Sequence, residues 1–115
     1  MKIVVWEIYV PCMMNSKPVR TRHHREWDKF VRKITGGLTI LKPARGQWIE
    51  PATSTLHEER VIPVRIACTR HQIDRIIDFT IGHYNQKAVM AYQIGTDVII
   101  RHREEVSDAK RIRGS

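Results

Sequence analysis

Two adjacent carboxylates, Glu58 and Glu59, stand where a polar stretch runs into an apolar strand that ends at Cys68. Side chains of a strand alternate between two faces. One face is apolar and reads as core, whereas Glu59 shares the other face with Arg65. A carboxylate at a strand end, beside a largely apolar face, is suited to hold a cationic ligand. The alternative is that both acids are solvated charges, which is the common state of glutamate.

The length and composition indicate one globular domain. The chain has 115 residues, of which 42% are hydrophobic, and three tryptophans argue against disorder. No apolar run approaches the roughly 20 residues that span a bilayer, so we expect no membrane partner and a cytoplasmic location. The two cysteines have no metal-ligand spacing and are expected to be reduced thiols.

The charge is strongly positive, at a formal +8. Part of it lies in a basic tail, 106–115, whose final Arg-Gly-Ser resembles a cloning remnant, so the domain is expected at 1–105. Positive charge attracts anions, including nucleic acids. Because the aromatic and basic strand signature of RNA-recognition motifs is missing, we do not expect a nucleic-acid partner.

Alternation and turn residues predict a series of short strands. They are expected at 2–10, 38–41, 58–68, 88–94 and 96–101, with 46–49 as a further hairpin arm. Residues 11–20 and 50–57 read as loops, the second as a mobile flap. Pro63 cannot donate a ladder hydrogen bond, which predicts an exposed or bulged edge at that point.

Two helices separate these strands. The first has Thr21 as its predicted N-cap, an apolar face that includes Trp27 and Val31, and Gly36-Gly37 as its end. The second begins with the capping box of Thr69 and Gln72. Its apolar side comprises Ile73, Ile76, Ile77, Thr80 and Tyr84.

The order of elements predicts an α+β, ferredoxin-like (βαββαβ) sandwich with an extra C-terminal strand. Two helices cover only one face of such a sheet, yet the strands at 2–10 and 58–68 are largely apolar on both faces. Self-association through the second face is the simplest way to cover it. We therefore expect a homo-oligomer, by analogy a trimer of the kind that PII-like proteins form.

The segment from Gly46 to about His102 resembles the phage-encoded S-adenosylmethionine lyases. The match rests on Glu58-Glu59-Arg60 leading into Val64-Arg65, eleven residues after an aromatic residue that follows a Gly-containing turn. The Val-Met-Ala-Tyr strand at 89–92, the His-rich start of the first helix and Gly36-Gly37-Leu38 are also similar to that family.

This resemblance implies a trimer with active sites between subunits and S-adenosylmethionine as the substrate. The substrate carboxylate attacks its own γ-carbon, releasing methylthioadenosine and homoserine lactone without a metal or other cofactor. The family's glutamate corresponds to Glu59, the implied catalytic residue. Its tyrosine corresponds to Trp48, a departure that removes the phenolic hydroxyl. The implied role is depletion of the methyl donor in the cytoplasm of a phage host, which blunts restriction.

Further substrate-binding candidates are polar residues on or near the strands. They are Glu58, Glu7, Tyr9 and Tyr92, each of which a purely structural role would also explain.

Other chemistries have weaker support in the sequence. The six histidines lack zinc-site spacing, and the adjacent His23 and His24 read as solvated, so no metal is expected. Neither cysteine lies in a pattern that orients a base. The alternative function is a non-enzymatic, trimeric PII-like protein that binds a small metabolite in the cleft between subunits.

Overall fold

A computed structural model describes residues 2–105 of the chain, in which two long helices accompany seven strands and residues 103–105 are also helical. The strands are β1 (Val4–Pro11), β2 (Met13–Met14), β3 (Lys17–Pro18), β4 (Thr39–Ile40), β5 (Ala44–Glu50), β6 (Thr55–Cys68) and β7 (Ala91–Ile94). The main sheet is antiparallel, with the order β4-β6-β1-β7, and β5 pairs with the same edge of β6 as β4 does. This order confirms the ferredoxin-like prediction.

The two helices, α1 (Thr21–Thr35) and α2 (Arg70–His83), lie on one face of the sheet and form the core with it. Buried apolar side chains of β1 and β6 pack against Trp27, Val31, Ile73 and Ile76, as the periodicity predicted. The indole N–H of Trp27 donates to Thr80 Oγ1 at 2.8 Å, so the one polar atom of this buried ring has a partner.

Two of the three predicted helix ends are confirmed. Gly36 ends α1 with a φ of 91°, a conformation that glycine adopts without steric cost, and donates to the Arg32 carbonyl. Thr69 and Gln72 form the complete capping box of α2. The prediction for Thr21 was wrong: Thr21 is already helical, and Arg20 holds the N-cap position without a side-chain hydrogen bond.

The segment expected to be a flap is instead a long β-hairpin. β6 begins at Thr55 rather than at residue 58, and it pairs with β5 from Ala44↔Val61 to Glu50↔Thr55, leaving only a turn at 51–54. We call this hairpin, 44–50 with 55–61, the arm. The β-branched and aromatic residues here pair across strands, which outweighed the loop-like Thr, Ser and Pro content.

Pro63 lies beside a shift in register, as expected. Between β4 and β5, the four steps from Ile40 to Ala44 span only three steps of β6, from Val64 to Val61. Leu41 donates to the Pro63 carbonyl at 2.9 Å within this interruption. The pairing of β6 with β1 continues past Pro63 without a break.

Other boundaries differ from the predictions. The strands expected at 2–10, 38–41 and 88–94 are confined to β1, β4 and β7, and the expected loop at 11–20 contains the small hairpin of β2 and β3. Residues 96–101 form no strand, although the ferredoxin-like core is complete without one. Ile99 and Ile100 are exposed there, since a high β-propensity does not by itself produce strand pairing. The predicted tail, 106–115, lies outside the described residues.

Neither α1 nor α2 covers the opposite face of the sheet, which we call the uncovered face. Tyr92 is exposed on this face, Trp48 is exposed on the same side of the arm, and Ile3 is exposed just before β1, whereas the exposed Ile40, Ile49 and Leu56 project to the other side. No helix in residues 2–105 is long and apolar enough to cross a membrane.

We predict that Thr69→Ala lowers the free energy of unfolding by about 0.5–2 kcal/mol, because it removes the side-chain acceptor of the α2 capping box. Thr21→Ala is the matched control, and it should change that free energy by less than about 0.5 kcal/mol, because Thr21 is exposed and caps nothing. Urea unfolding of both variants measures the difference, and equal losses would contradict the capping assignment.

Candidate functional site

A buried carboxylate lies at the centre of the uncovered face. Glu7 is only 5% exposed, in the middle of β1, and the residues opposite it are Arg65 on β6 and Tyr92 on β7. Residues directly opposite each other in an antiparallel sheet project to the same face. Glu7, Arg65 and Tyr92 therefore form one row across three strands.

The Glu7 carboxylate is held on both of its oxygens. Arg65 Nε donates to Oε1 at 2.9 Å, and the Tyr92 hydroxyl donates to Oε2. The hydroxyls of Tyr92 and Tyr9 are 3.3 Å apart, with their rings packed edge to face. The row thus combines a carboxylate, a guanidinium and two phenols in one hydrogen-bonded group.

The surroundings of Glu7 act on its pKa in opposite directions. Burial raises the pKa, but the hydrogen bonds from Tyr92 and Arg65 and the charge of Arg65 outweigh burial, so the pKa of Glu7 lies below its ordinary value. The same hydrogen bond to the Glu7 carboxylate, followed by the one to Tyr9, raises the pKa of Tyr92. At neutral pH, Glu7 is therefore ionised and Tyr92 carries its proton.

The second group of candidate residues lies on the arm. Trp48 is opposite His57, with ring centroids 4.5 Å apart and planes 19° from parallel, and it remains 47% exposed. Glu59 is opposite Gly46, two residues along β6 from His57, and it is exposed. By alternation, Trp48 and Glu59 project to the same side as Glu7 and Arg65.

The two acids that are adjacent in the sequence are in different surroundings. Glu58 projects to the opposite side of the arm and accepts a hydrogen bond from the Gln47 side chain. The Glu59 side chain makes no hydrogen bond and no ion pair with the described residues. Its carboxylate is therefore available to a ligand.

One chain does not bring the predicted site residues into a single pocket. Glu59 is six residues from Arg65 along β6, which is about 20 Å at 3.3 Å per residue. Glu7, Tyr9 and Tyr92 form one group, Trp48 and Glu59 form another, and Glu58 joins neither. Both groups lie on the same side of the sheet.

Sequence reasoning did not include Arg65 among the site residues, although a signal was present. Glu7 and Arg65 are opposite charges, each in the middle of a largely apolar strand. Because an unpaired buried charge is costly, two such residues are expected to pair when their strands are neighbours. His57 carried no comparable signal, since only the pairing of β5 with β6 places it under Trp48.

Comparison with known proteins identifies the fold. No protein-family profile and no curated protein sequence match the chain, but solved structures do. The divalent cation tolerance protein CutA1 from Thermus thermophilus has a TM-score of 0.61 at 13% identity, over 93% of both chains. A phage S-adenosylmethionine lyase in complex with S-methyl-5'-thioadenosine has a TM-score of 0.60 at 15% identity, over 85% of this chain and 93% of that one.

The chain shares their fold. The periplasmic divalent cation tolerance protein CutA from Archaeoglobus fulgidus is similar over 92% of both chains, with a TM-score of 0.59 and 11% identity. At these identities the likeness establishes the PII-like, ferredoxin-like architecture. The resemblance to the phage lyases is thereby supported at the level of the fold.

We predict that Glu7 stabilises the fold only above acidic pH. Because its folded pKa is depressed, the unfolded chain protonates first as the pH falls. The contribution of Glu7 is thus fully present above its ordinary pKa of 4.5 and is lost as the pH falls through the folded value. Urea unfolding between about pH 3 and pH 7 should show a smaller loss of stability for Glu7→Gln than for the native chain.

Glu58→Gln is the control, because its carboxylate is exposed on the arm, and it should retain the acid dependence of the native chain. If Glu7→Gln showed the same acid dependence as the native chain, the lowered pKa of Glu7 would be refuted.

Proposed function

We propose that this protein is an S-adenosylmethionine lyase that forms 5'-methylthioadenosine and L-homoserine lactone. The substrate carboxylate attacks the γ-carbon of its own methionine arm. A carbon–oxygen bond forms, the γ-carbon–sulfur bond breaks, and the electron pair of that bond goes to the sulfonium, which leaves as a neutral thioether. No proton has to be transferred in this step, so the protein has to bind, fold and desolvate the substrate.

The observation that carries the proposal is the pair of Glu59 and Trp48 on one side of the arm. S-adenosylmethionine has two cationic groups, an ammonium and a sulfonium. Glu59 is an exposed carboxylate that can accept a hydrogen bond from the ammonium or the ribose. The exposed indole of Trp48 can attract the sulfonium by a cation–π contact of about 0.5–2 kcal/mol.

The other wall of the proposed site is the row around Glu7, supplied by a second copy of the chain. Within one chain about 20 Å of extended strand separates Glu59 from Arg65, the residue opposite Glu7, so one small molecule does not reach from Glu59 to the Glu7 carboxylate. We therefore place the active sites between subunits of a homo-oligomer, a trimer as in other PII-like proteins. The exposed Ile49 and Leu56, 63% and 56% accessible, lie on the other side of the arm, the side of Glu58, and exposed apolar clusters of this kind mark interfaces with further chains.

A structural neighbour with a bound nucleoside also supports the lyase proposal. One of the similar structures is a phage lyase that holds S-methyl-5'-thioadenosine, the nucleoside product of the proposed reaction. In an infected cell, the reaction would deplete the methyl donor of the host cytoplasm and so weaken restriction.

We predict turnover that depends on Glu59. Purified protein incubated with S-adenosylmethionine should release methylthioadenosine and homoserine lactone, which chromatography with mass detection quantifies. Glu59→Gln should reduce the rate about 100-fold or more, the scale of losing a preorganised electrostatic contact. It should leave the fold unchanged, because the Glu59 side chain has no partner among the described residues.

Glu58→Gln is the matched control for this experiment, since it makes the same change one residue away on the other side of the arm. It should retain the native rate. No turnover at high protein concentration would remove the lyase proposal, and equal rates in the two variants would mean that Glu59 is not the essential carboxylate.

The alternative is a non-enzymatic, PII-like oligomer that binds a small metabolite in the same cleft. Two observations favour it: Trp48 lacks the hydroxyl of the tyrosine it replaces, and the Thermus CutA1 protein matches more of the chain than the lyase does. Calorimetric binding of S-adenosylmethionine or methylthioadenosine without product formation would favour this alternative.

A further inference from the structure

Two histidines that are 60 residues apart in the chain meet on the helix layer, on the side of the molecule opposite the proposed active site. His23 in the first turn of α1 stacks on His83 at the end of α2, with ring centroids 3.7 Å apart and planes 8° from parallel. His23 Nε2 is 2.6 Å from the His83 carbonyl oxygen, and His83 Nε2 is 2.8 Å from the His23 carbonyl oxygen. Both rings are half-buried, as is His24 beside the Tyr84 hydroxyl, so the expectation that His23 and His24 are solvated was wrong.

These reciprocal contacts fix the tautomer of each ring. A carbonyl oxygen can only accept, so each Nε2 must carry the hydrogen and donate it. In a neutral imidazole the other nitrogen then has a free lone pair. Nδ1 of His23 and Nδ1 of His83 are therefore left as potential metal ligands.

A carboxylate completes the group. Glu26, one turn along α1 from His23, places an oxygen so that it and one ring nitrogen from each histidine all lie within 4.8 Å of one another. Glu26 is 55% exposed, and its ion pair with Arg22 is long, at 3.9 Å. Its carboxylate is thus free to turn towards the two rings.

We propose that His23, Glu26 and His83 bind a divalent first-row transition metal. Two imidazoles and a carboxylate form a donor set that suits Zn²⁺, and three protein ligands leave a coordination position for water. A ring N–H that donates to a backbone carbonyl is the arrangement that typically orients a metal-bound histidine. Both His23 and His83 already make this hydrogen bond to a backbone carbonyl before any metal is present.

Metal binding must tighten this group. With metal–nitrogen bonds of about 2.0–2.1 Å, two ligand atoms of one tetrahedral ion are about 3.3 Å apart. The candidate ligand atoms now lie within 4.8 Å of one another, so they have to move closer together. The ion also lies near the plane of each imidazole, so the parallel stack has to open into a wedge. The metal would thus link the start of α1 to the end of α2 and stabilise their contact.

The test is calorimetric titration of the full, metal-stripped chain with Zn²⁺ near neutral pH. The native chain should bind one equivalent. His83→Phe keeps a flat ring beside Phe79 and His23 but removes the nitrogen, and it should weaken binding by more than about tenfold, at least the loss seen when an outer-shell partner is removed. His71→Ala, which changes an exposed histidine on the same helix, should bind as the native chain does.

No stoichiometric binding, or the same affinity in His83→Phe and His71→Ala, would overturn the proposal. If circular dichroism showed that His83→Phe does not fold, Glu26→Gln would decide, because the exposed Glu26 side chain is not part of the core. Weakened Zn²⁺ binding in Glu26→Gln supports the site, and unchanged binding refutes it. The outcome is independent of the lyase proposal, whose residues lie on the sheet and the arm.

Discussion

The ion pair between Glu7 and Arg65 is the constraint on which the uncovered face depends. Glu7 is almost completely buried, and a buried charge without partners costs several kcal/mol. Its partners come from the neighbouring strands on both sides, Arg65 on β6 and Tyr92 on β7. A one-residue slip of either strand would send its partner to the helix side, so the carboxylate requires this register.

This register determines what the face can bind. It aligns the row of Glu7, Tyr92 and Arg65 with the side of the arm that carries Trp48 and Glu59. The two groups share a side but not a pocket, because about 20 Å of extended strand separates Glu59 from Arg65. A second copy that lays its arm against the row would join them, and it would also cover the apolar side chains that the helices leave exposed.

The sequence predicted those features that depend on local chemistry or on regular spacing. The capping box of Thr69 and the left-handed end at Gly36 are local, and the apolar faces of α1 and β6 follow from periodicity. Thr21 was chosen by residue type, yet the extended residue before the helix is Arg20, since backbone conformation decides the cap. The strand expected at 96–101 has suitable residues but pairs with no strand, because propensity alone does not decide strand pairing.

The features that the sequence did not predict depend on contacts between segments that are distant in the chain. Alternation placed Glu59 on the non-core side, but the arm that carries it appears only when β5 pairs with β6. The stack of His23 on His83 has no signal in either segment, because helix packing alone brings the two turns together. The assembly remains the largest inference from sequence, and the native mass of the purified chain in dilute solution tests it most directly. A homo-oligomer, three chains by this account, is the predicted result, and a stable 13.5 kDa monomer would contradict the shared site.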